Sequence, residues 1–234
     1  METVKLRLPG NSDFFTQEAY KVLRTNIQFC GQEVKMVAFT SCSENEGKTT
    51  VTLHTAKSFA ELGKQVLVID ADLRKSVMAG RNTDAKNPKG LSEVLIGLEN
   101  LENCVFHTQY SGLDIMFAGK YPPNPVELLG SKYFSTLLQE AKKAYDYIFI
   151  DTPPLGPVID AAVIAPQCDG TIIVLGSSKI RIRQAQNVLE QLKKSECRVL
   201  GVVRNQSDAH GKGYYRKEAE ELRKRVEKLE SELK

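Results

Sequence analysis

Short apolar runs without alternation recur along the chain, and stretches of helical period separate them. Residues 66–70, 147–151 and 171–176 are of this kind, and 35–41, 113–117 and 199–204 read as further strands. A strand that is apolar at every position is buried on both faces, as in a parallel sheet covered by helices. The intervening helices fall at 49–62, closed by Gly63, then at 91–96, 132–144, 159–166 and 181–194. The alternation predicts an α/β fold, doubly wound around a mainly parallel sheet, with ligands at the carboxyl ends of the strands. Two segments stand outside it. Residues 16–29 form an amphipathic helix before the first strand. The tail from Ser207 carries Gly211, Gly213, Tyr214 and Tyr215, then a charged stretch in which Leu222, Val226, Leu229 and Leu233 have heptad spacing. This divides the chain into a domain over 1–206 and a tyrosine-containing tail with a charged helix over 207–234.

Composition narrows the setting. Hydrophobic residues make up 41% and charged residues 26%, ordinary values for a globular protein, and the net charge of +3 gives no electrostatic case for nucleic acid as a partner. The longest apolar runs are of strand length, whereas a membrane span needs about 20 such residues. The five cysteines include no C-x-x-C pair, which speaks for buried thiols in a reducing compartment rather than zinc or disulfides. The expectation is a cytoplasmic protein, or one held at a membrane by something else.

Candidate chemistry follows three of the strands. The first ends in Phe39-Thr40-Ser41 and runs into Cys42-Ser43-Glu44-Asn45-Glu46-Gly47-Lys48-Thr49-Thr50, with Gly-Lys-Thr opening a helix. Backbone N–H groups at such a helix N-terminus face phosphates, the lysine reaches the outer phosphates, and the threonine hydroxyl serves magnesium. Ser43, Glu44, Asn45, Glu46, Gly47, Lys48, Thr49 and Thr50 are therefore candidates for binding ATP. The strict P-loop pattern has glycine where this chain has Cys42, so the loop alone also fits an ordinary helix start with a surface lysine. The second strand ends in Asp70-Ala71-Asp72-Leu73-Arg74. Two carboxylates leaving a buried strand together repel unless a cation or proton is shared, and magnesium on a triphosphate is a natural solution. The third ends in Asp151-Thr152-Pro153-Pro154, an apolar strand closing on a metal-directed carboxylate, a Walker B arrangement. Thr49, Asp70, Asp72 and Asp151 form the candidate Mg2+ set. Asn205, after the last strand, is a candidate for adenine recognition or a plain turn residue.

Together these motifs resemble the Walker A, A′ and B motifs of bacterial protein-tyrosine kinases, the BY-kinases. The Asp-x-Asp-x-Arg form of Asp70, Asp72 and Arg74 and the Asp151-Thr152-Pro153-Pro154 run carry the likeness. Gly90-Leu91-Ser92-Glu93-Val94-Leu95 and Pro122-Pro123-Asn124-Pro125-Val126-Glu127-Leu128-Leu129 add to it, and the likeness covers roughly 14–206. It implies a P-loop NTPase-like fold and the cytoplasmic kinase subunit of capsular or exopolysaccharide systems. Such a subunit lies at the inner face of the membrane and is activated by the cytoplasmic tail of a membrane-anchored partner. The family's Pro-Gly before Glu-Gly-Lys is Glu44-Asn45 here. Asn45 suits a turn of positive φ, and Glu44 places a negative charge beside the nucleotide. The family's oligomerisation helix carries Glu-x-x-Arg-x-x-Arg. Here it reads Glu18, Lys21, Arg24, a lysine where a bidentate arginine is usual, and it implies homo-oligomers through helix 16–29.

The reading that follows is an autophosphorylating kinase of protein tyrosines, with Lys48, Asp70, Asp72, Arg74 and Asp151 as catalytic candidates. Lys48 neutralises the transferring phosphoryl group, Asp70 or Asp72 takes the phenolic proton, and Tyr214 and Tyr215 of a neighbouring chain are the acceptors. A partitioning or positioning ATPase is the alternative from the same broad class, but its signature lysine would stand at Ser43. A third alternative is a non-catalytic ATP-binding assembly regulator.

Overall fold

The computed structural model describes residues 2–8, 14–176 and 182–206 of the chain. In order, the elements are β1 (Thr3–Val4), α1 (Phe14–Phe29), β2 (Met36–Ser41), α2 (Lys48–Ala60), β3 (Val66–Asp70), α3 (Met78–Asn82), α4 (Leu91–Leu95), β4 (Val105–Thr108), β5 (Leu113–Met116), α5 (Pro125–Leu129), α6 (Lys132–Ala144), β6 (Tyr147–Asp151), α7 (Asp160–Ile164), β7 (Gly170–Gly176), α8 (Ile182–Lys194) and β8 (Val199–Asn205). The strands form one sheet in the order β1-β4-β5-β3-β6-β2-β7-β8. Every pairing is parallel except β4 with β5. The doubly wound, mainly parallel sheet expected from the apolar runs is present.

The pleat divides the central strands between two cores. Val37, Phe39, Val66, Val68 and Phe149 point to one face, where they pack with Val51 and Phe59 of α2. Met36, Ala38, Leu67, Ile69, Ile148 and Ile150 point to the other, against Phe134, Leu137 and Leu138 of α6. Period-2 side chains on strands with both faces covered require apolar residues at every position, and this is why these segments show no alternation. On the first face, Phe59 sits 5.2 Å from Phe149 and 4.2 Å from Tyr147 between ring centroids.

The topology then gathers the three motif-bearing strands. The chain leaves β2, passes through α2 and enters β3 two places away, and β6 later fills the gap between them. Phe39 and Asp70 are both register partners of Asp151, so the carboxyl ends of β2, β3 and β6 lie side by side. Elements the apolar pattern did not mark are β1, α3, α5 and the antiparallel β4. The tail tyrosines Tyr214 and Tyr215 and the expected helix beyond them lie outside the described residues.

Candidate nucleotide and phosphoryl-transfer site

A cleft of about 430 Å³ opens at those strand ends. Residues 43–50, Asp70, Asp72, Arg74 and Asp151 all line it, so the three motifs meet in one place. Asn205 is not among the lining residues. Its Nδ2 donates to the Glu46 carbonyl at 3.0 Å, so it clasps the loop from outside the cleft.

The loop's shape follows from its sequence. Gly47 has φ +83° and Asn45 φ +64°, left-handed positions that glycine and asparagine adopt most readily. Cys42, in place of a glycine, is buried against Leu155, Ala161 and Ile173, where a small apolar side chain fits. The Glu46 carboxylate folds back to accept the Ser43 N–H at 2.8 Å and the Gly176 N–H at 3.4 Å, bracing the loop from within. Glu44 is matched by Lys75 of the following motif at 2.8 Å, so its negative charge is balanced across the cleft.

At the base of the cleft the Lys48 ammonium donates to Asp151 Oδ1 at 2.9 Å, and the Thr49 hydroxyl donates to Asp151 Oδ2 at 2.5 Å. Asp70 is buried beside them, accepting from the Ser76 hydroxyl and from the Asp72 N–H at 3.2 Å. Asp72 Oδ1 accepts the N–H groups of Arg74 at 3.3 Å and Lys75 at 2.9 Å, holding the turn that aims both carboxylates. Burial, then the charges of Asp151 and Asp72, push the Asp70 carboxyl up to about 8 against the pull of Ser76 and Lys48. Asp151 is also held above the carboxylate range, first by burial, although Lys48 and Thr49 pull it down. Lys48 is desolvated too, yet the Asp151 charge and bond raise it further. The site therefore crowds the carboxyl groups of Asp70, Asp72 and Asp151 around one buried ammonium.

Several contributors were not named from sequence. Arg74 Nε donates to both oxygens of fully buried Asp160, at 2.9 and 3.1 Å, across 86 residues of chain. An arginine leaving a buried strand beside two acids asks for a carboxylate of its own, and Asp160 is that partner. Ser76 and Lys75 serve Asp70 and Glu44 in the same way. Leu155 N–H donates to the Ser41 carbonyl at 2.9 Å, and a Cβ on Gly156 would lie 2.1 Å from the Cys42 carbonyl oxygen. The Asp151-Thr-Pro-Pro loop thus sits directly on the start of the phosphate loop.

Among the described residues, no group of three or more His, Cys, Asp or Glu side chains is arranged as a ready metal site. The donors at hand are the Thr49 hydroxyl with Asp151, and Asp70 beside them. Magnesium takes one or two protein ligands and completes its octahedron with water and phosphate, so this donor set fits it.

A parallel sheet with a Gly-Lys-Thr loop at its central strand and acids on the adjacent strand ends defines a P-loop nucleotide-binding domain. The AAA domain family model matches residues 34–202. Within that class the chain belongs to the bacterial protein-tyrosine kinase family. It is 41% identical over 190 residues to the tyrosine-protein kinase CpsD of Streptococcus agalactiae, covering 81% of this chain and 83% of that protein. It is 38% identical over 190 residues to the tyrosine-protein kinase YwqD of Bacillus subtilis, covering 80% of each. The kinase domain of the Escherichia coli tyrosine kinase ETK superposes with a TM-score of 0.76 at 30% identity, over 82% of this chain and 78% of that one.

Proposed function

We propose that the chain transfers the γ-phosphoryl group of ATP to protein tyrosines, its own included, in the control of capsular or exopolysaccharide synthesis. The observation that carries this is the convergence of Lys48, Thr49, Asp70 and Asp151 at the carboxyl ends of β2, β3 and β6 in a chain of this family. Residues 43–50 bind the phosphates with their backbone N–H groups, and Lys48 turns from Asp151 toward the transferring phosphoryl group when ATP enters. Thr49 and Asp151, with Asp70 and Asp72 directly or through water, would hold Mg2+, which would supply charge neutralisation to the phosphates. The Asp70 or Asp72 carboxylate, in its ionised form, takes the proton of the acceptor phenol. Arg74, anchored on Asp160, keeps its positive charge at the cleft. Asn205 fixes the loop edge beside which adenine would lie.

The acceptors are Tyr214 and Tyr215, presented by a neighbouring chain. The kinase associates with itself through helix 16–29. It is held at the inner face of the membrane by the cytoplasmic tail of a membrane-anchored partner. Among the described residues no helix is long and apolar enough to cross a membrane.

The test is phosphotyrosine formation on the purified chain with ATP and magnesium, read by intact mass. Phosphate should appear in the parent and be absent from Lys48→Met. Asp151→Asn should slow transfer by about 2–4 kcal/mol, as for loss of one electrostatic stabiliser. Tyr214→Phe with Tyr215→Phe should remove most of the signal. ATP hydrolysis without any phosphotyrosine would favour an ATPase switch.

A further inference from the structure

Three of the cations that line the cleft are each held by a carboxylate, and one of the three pairs is unlike the others. Lys48 and Arg74 are bound to Asp151 and Asp160, whose side chains are 2% and 0% exposed. Lys75 instead reaches Glu44 of the phosphate loop at 2.8 Å, and the two side chains are 70% and 53% exposed. Breaking a buried pair strands a charge away from water, whereas an exposed pair is weak and readily exchanged. Of the three ammonium and guanidinium groups, that of Lys75 is therefore the easiest to draw onto a ligand.

The two backbones that carry this pair are pinned. The Lys75 N–H donates to Asp72 Oδ1 at 2.9 Å, and the Ser76 hydroxyl after it donates to Asp70. On the opposite wall both neighbours of Glu44 are held. The Ser43 N–H donates to Glu46 at 2.8 Å, and the Asn45 carbonyl accepts from Gln206 Nε2 at 3.2 Å. What can move is the two long side chains, which meet between the phosphate loop and the turn after β3. A phosphate chain bound by residues 43–50 and pointing its reacting end at Asp70 and Asp72 runs between the same two walls. Lys75 follows Asp72 by three residues, so it stands at the reacting end.

We infer that Lys75 is the residue by which this site tells ATP from ADP, with Glu44 as a competitor built into the loop. The inference rests on the ATP-binding part of the reading given above. A triphosphate brings its third phosphate to the turn after β3, and the Lys75 ammonium passes to it from Glu44. ADP ends one phosphate short and leaves the Lys75–Glu44 pair in place. A ligand shifts such an equilibrium only by its differential affinity for the two arrangements, and the difference here is one charge-assisted bond to a phosphate oxygen. Glu44 is also the residue on the loop that would repel a nucleotide most directly, and Lys75 masks it whenever the third phosphate is absent. Once the γ-phosphoryl group has left, Lys75 returns to Glu44. The product nucleotide is then held by one bond fewer than the substrate, which favours its exchange for ATP.

The experiment titrates two nucleotides into the full chain with magnesium, at one ionic strength, and reads their dissociation constants by calorimetry. One is ADP, and the other is an ATP analogue with nitrogen at the β–γ bridge, which cannot transfer its phosphate. Lys75→Met should weaken the analogue about tenfold, the worth of a charge-assisted bond less that of the exposed pair it replaces, and ADP by less than about twofold. Lys75→Arg should keep most of the discrimination. Glu44→Gln, which removes the competitor, should tighten the analogue severalfold and ADP by no more than that. Equal losses for both nucleotides in Lys75→Met, as a merely structural role would give, or no loss for either, would overturn the inference. Weaker binding of the analogue to Glu44→Gln would overturn the part given to Glu44. Any of these results in a parent that forms phosphotyrosine leaves the kinase reading intact, whereas a parent that binds neither nucleotide overturns that reading and this inference together.

Discussion

At the scale of single residues, Asp70 should make the stability of the nucleotide-free protein depend on pH. Its folded carboxyl is pushed up to about 8, chiefly by burial, against an unfolded value near ~3.9. A group raised on folding contributes most stability below its unfolded pKa and loses that contribution as pH rises through the folded one. The folded state of the parent is therefore penalised progressively between about pH 4 and pH 8. Asp70→Asn has no proton to lose there. Its melting temperature without nucleotide should climb relative to the parent as pH rises across this window. The gain by pH 8 should be roughly 1.4 kcal/mol or more, the worth of one pKa unit. The same variant should lose kinase activity. A melting difference independent of pH would mean that Asp70 is ionised throughout. The sequence already places Lys48, Thr49, Asp70, Asp72 and Asp151 at strand ends, because strand periodicity and loop motifs are local signals. It does not reveal that Arg74 rests on Asp160, that Ser76 serves Asp70 or that Tyr121 reaches Ser76. Those partners lie up to 86 residues apart, and only the winding of the sheet brings them together.

At the scale of elements, α2 links the phosphate loop to the core. It opens on Lys48 and Thr49 and carries Phe59 in its last turn, whose ring packs against Tyr147 and Phe149 of β6, the strand that ends in Asp151. Phe59→Ala should destabilise the fold by about 3–5 kcal/mol, the usual range for emptying a buried aromatic site. ATP binding should weaken with it even though Phe59 lines no part of the cleft, because α2 and β6 would shift against each other. Equilibrium denaturation and nucleotide titration of one variant check both parts, and unchanged nucleotide affinity would show the loop to be held independently of this packing. The long elements were legible because burial on both faces writes itself into every strand position. Those the pattern missed share a physical cause. β4 has four residues with exposed His107 among buried neighbours, β1 has two residues, and α3 and α5 have five each, about one helical turn. Tertiary contacts decide such short elements, since too few positions exist for a period to show. The N-terminal strand is fixed by partners far along the chain: Leu6 N–H donates to Gln109 at 2.7 Å and Lys5 N–H to Asp84 at 2.8 Å.

At the scale of the whole molecule, the self-association proposed through α1 would need a surface on that helix able to hold a second chain. Glu18, Lys21 and Arg24 resemble an ionic oligomerisation motif, and pairing through them alone would weaken in high salt. Within a single chain, however, these charges already have partners. Lys21 bonds Glu18 at 2.6 Å, and Arg24 Nη1 donates to the Ser58 carbonyl and hydroxyl of α2 at 2.7 and 3.1 Å. The outward face of α1 offers something else. Phe14, Val22 and Phe29 are 63%, 58% and 83% exposed, and their spacing of eight and seven residues brings them to one side of the helix. Tyr20, Leu23 and Ile27 take the opposite side, against the core. Large apolar side chains gathered on one face mark a contact surface, whereas an exposed Glu–Lys pair is worth only about 0–1 kcal/mol. Assembly should therefore be driven by burial of this apolar face, with the ion pair setting register. In sedimentation velocity the parent should self-associate, and Phe29→Glu, which places a charge at the most exposed ring, should shift it to monomer. Raising the salt concentration should weaken the parent's association far less than that substitution does. Arg24→Ala should lower the melting temperature, because it frees α1 from α2, and it should reduce association only as far as α1 loosens. Association that dissolves in salt and survives Phe29→Glu would return the ionic residues to the leading role.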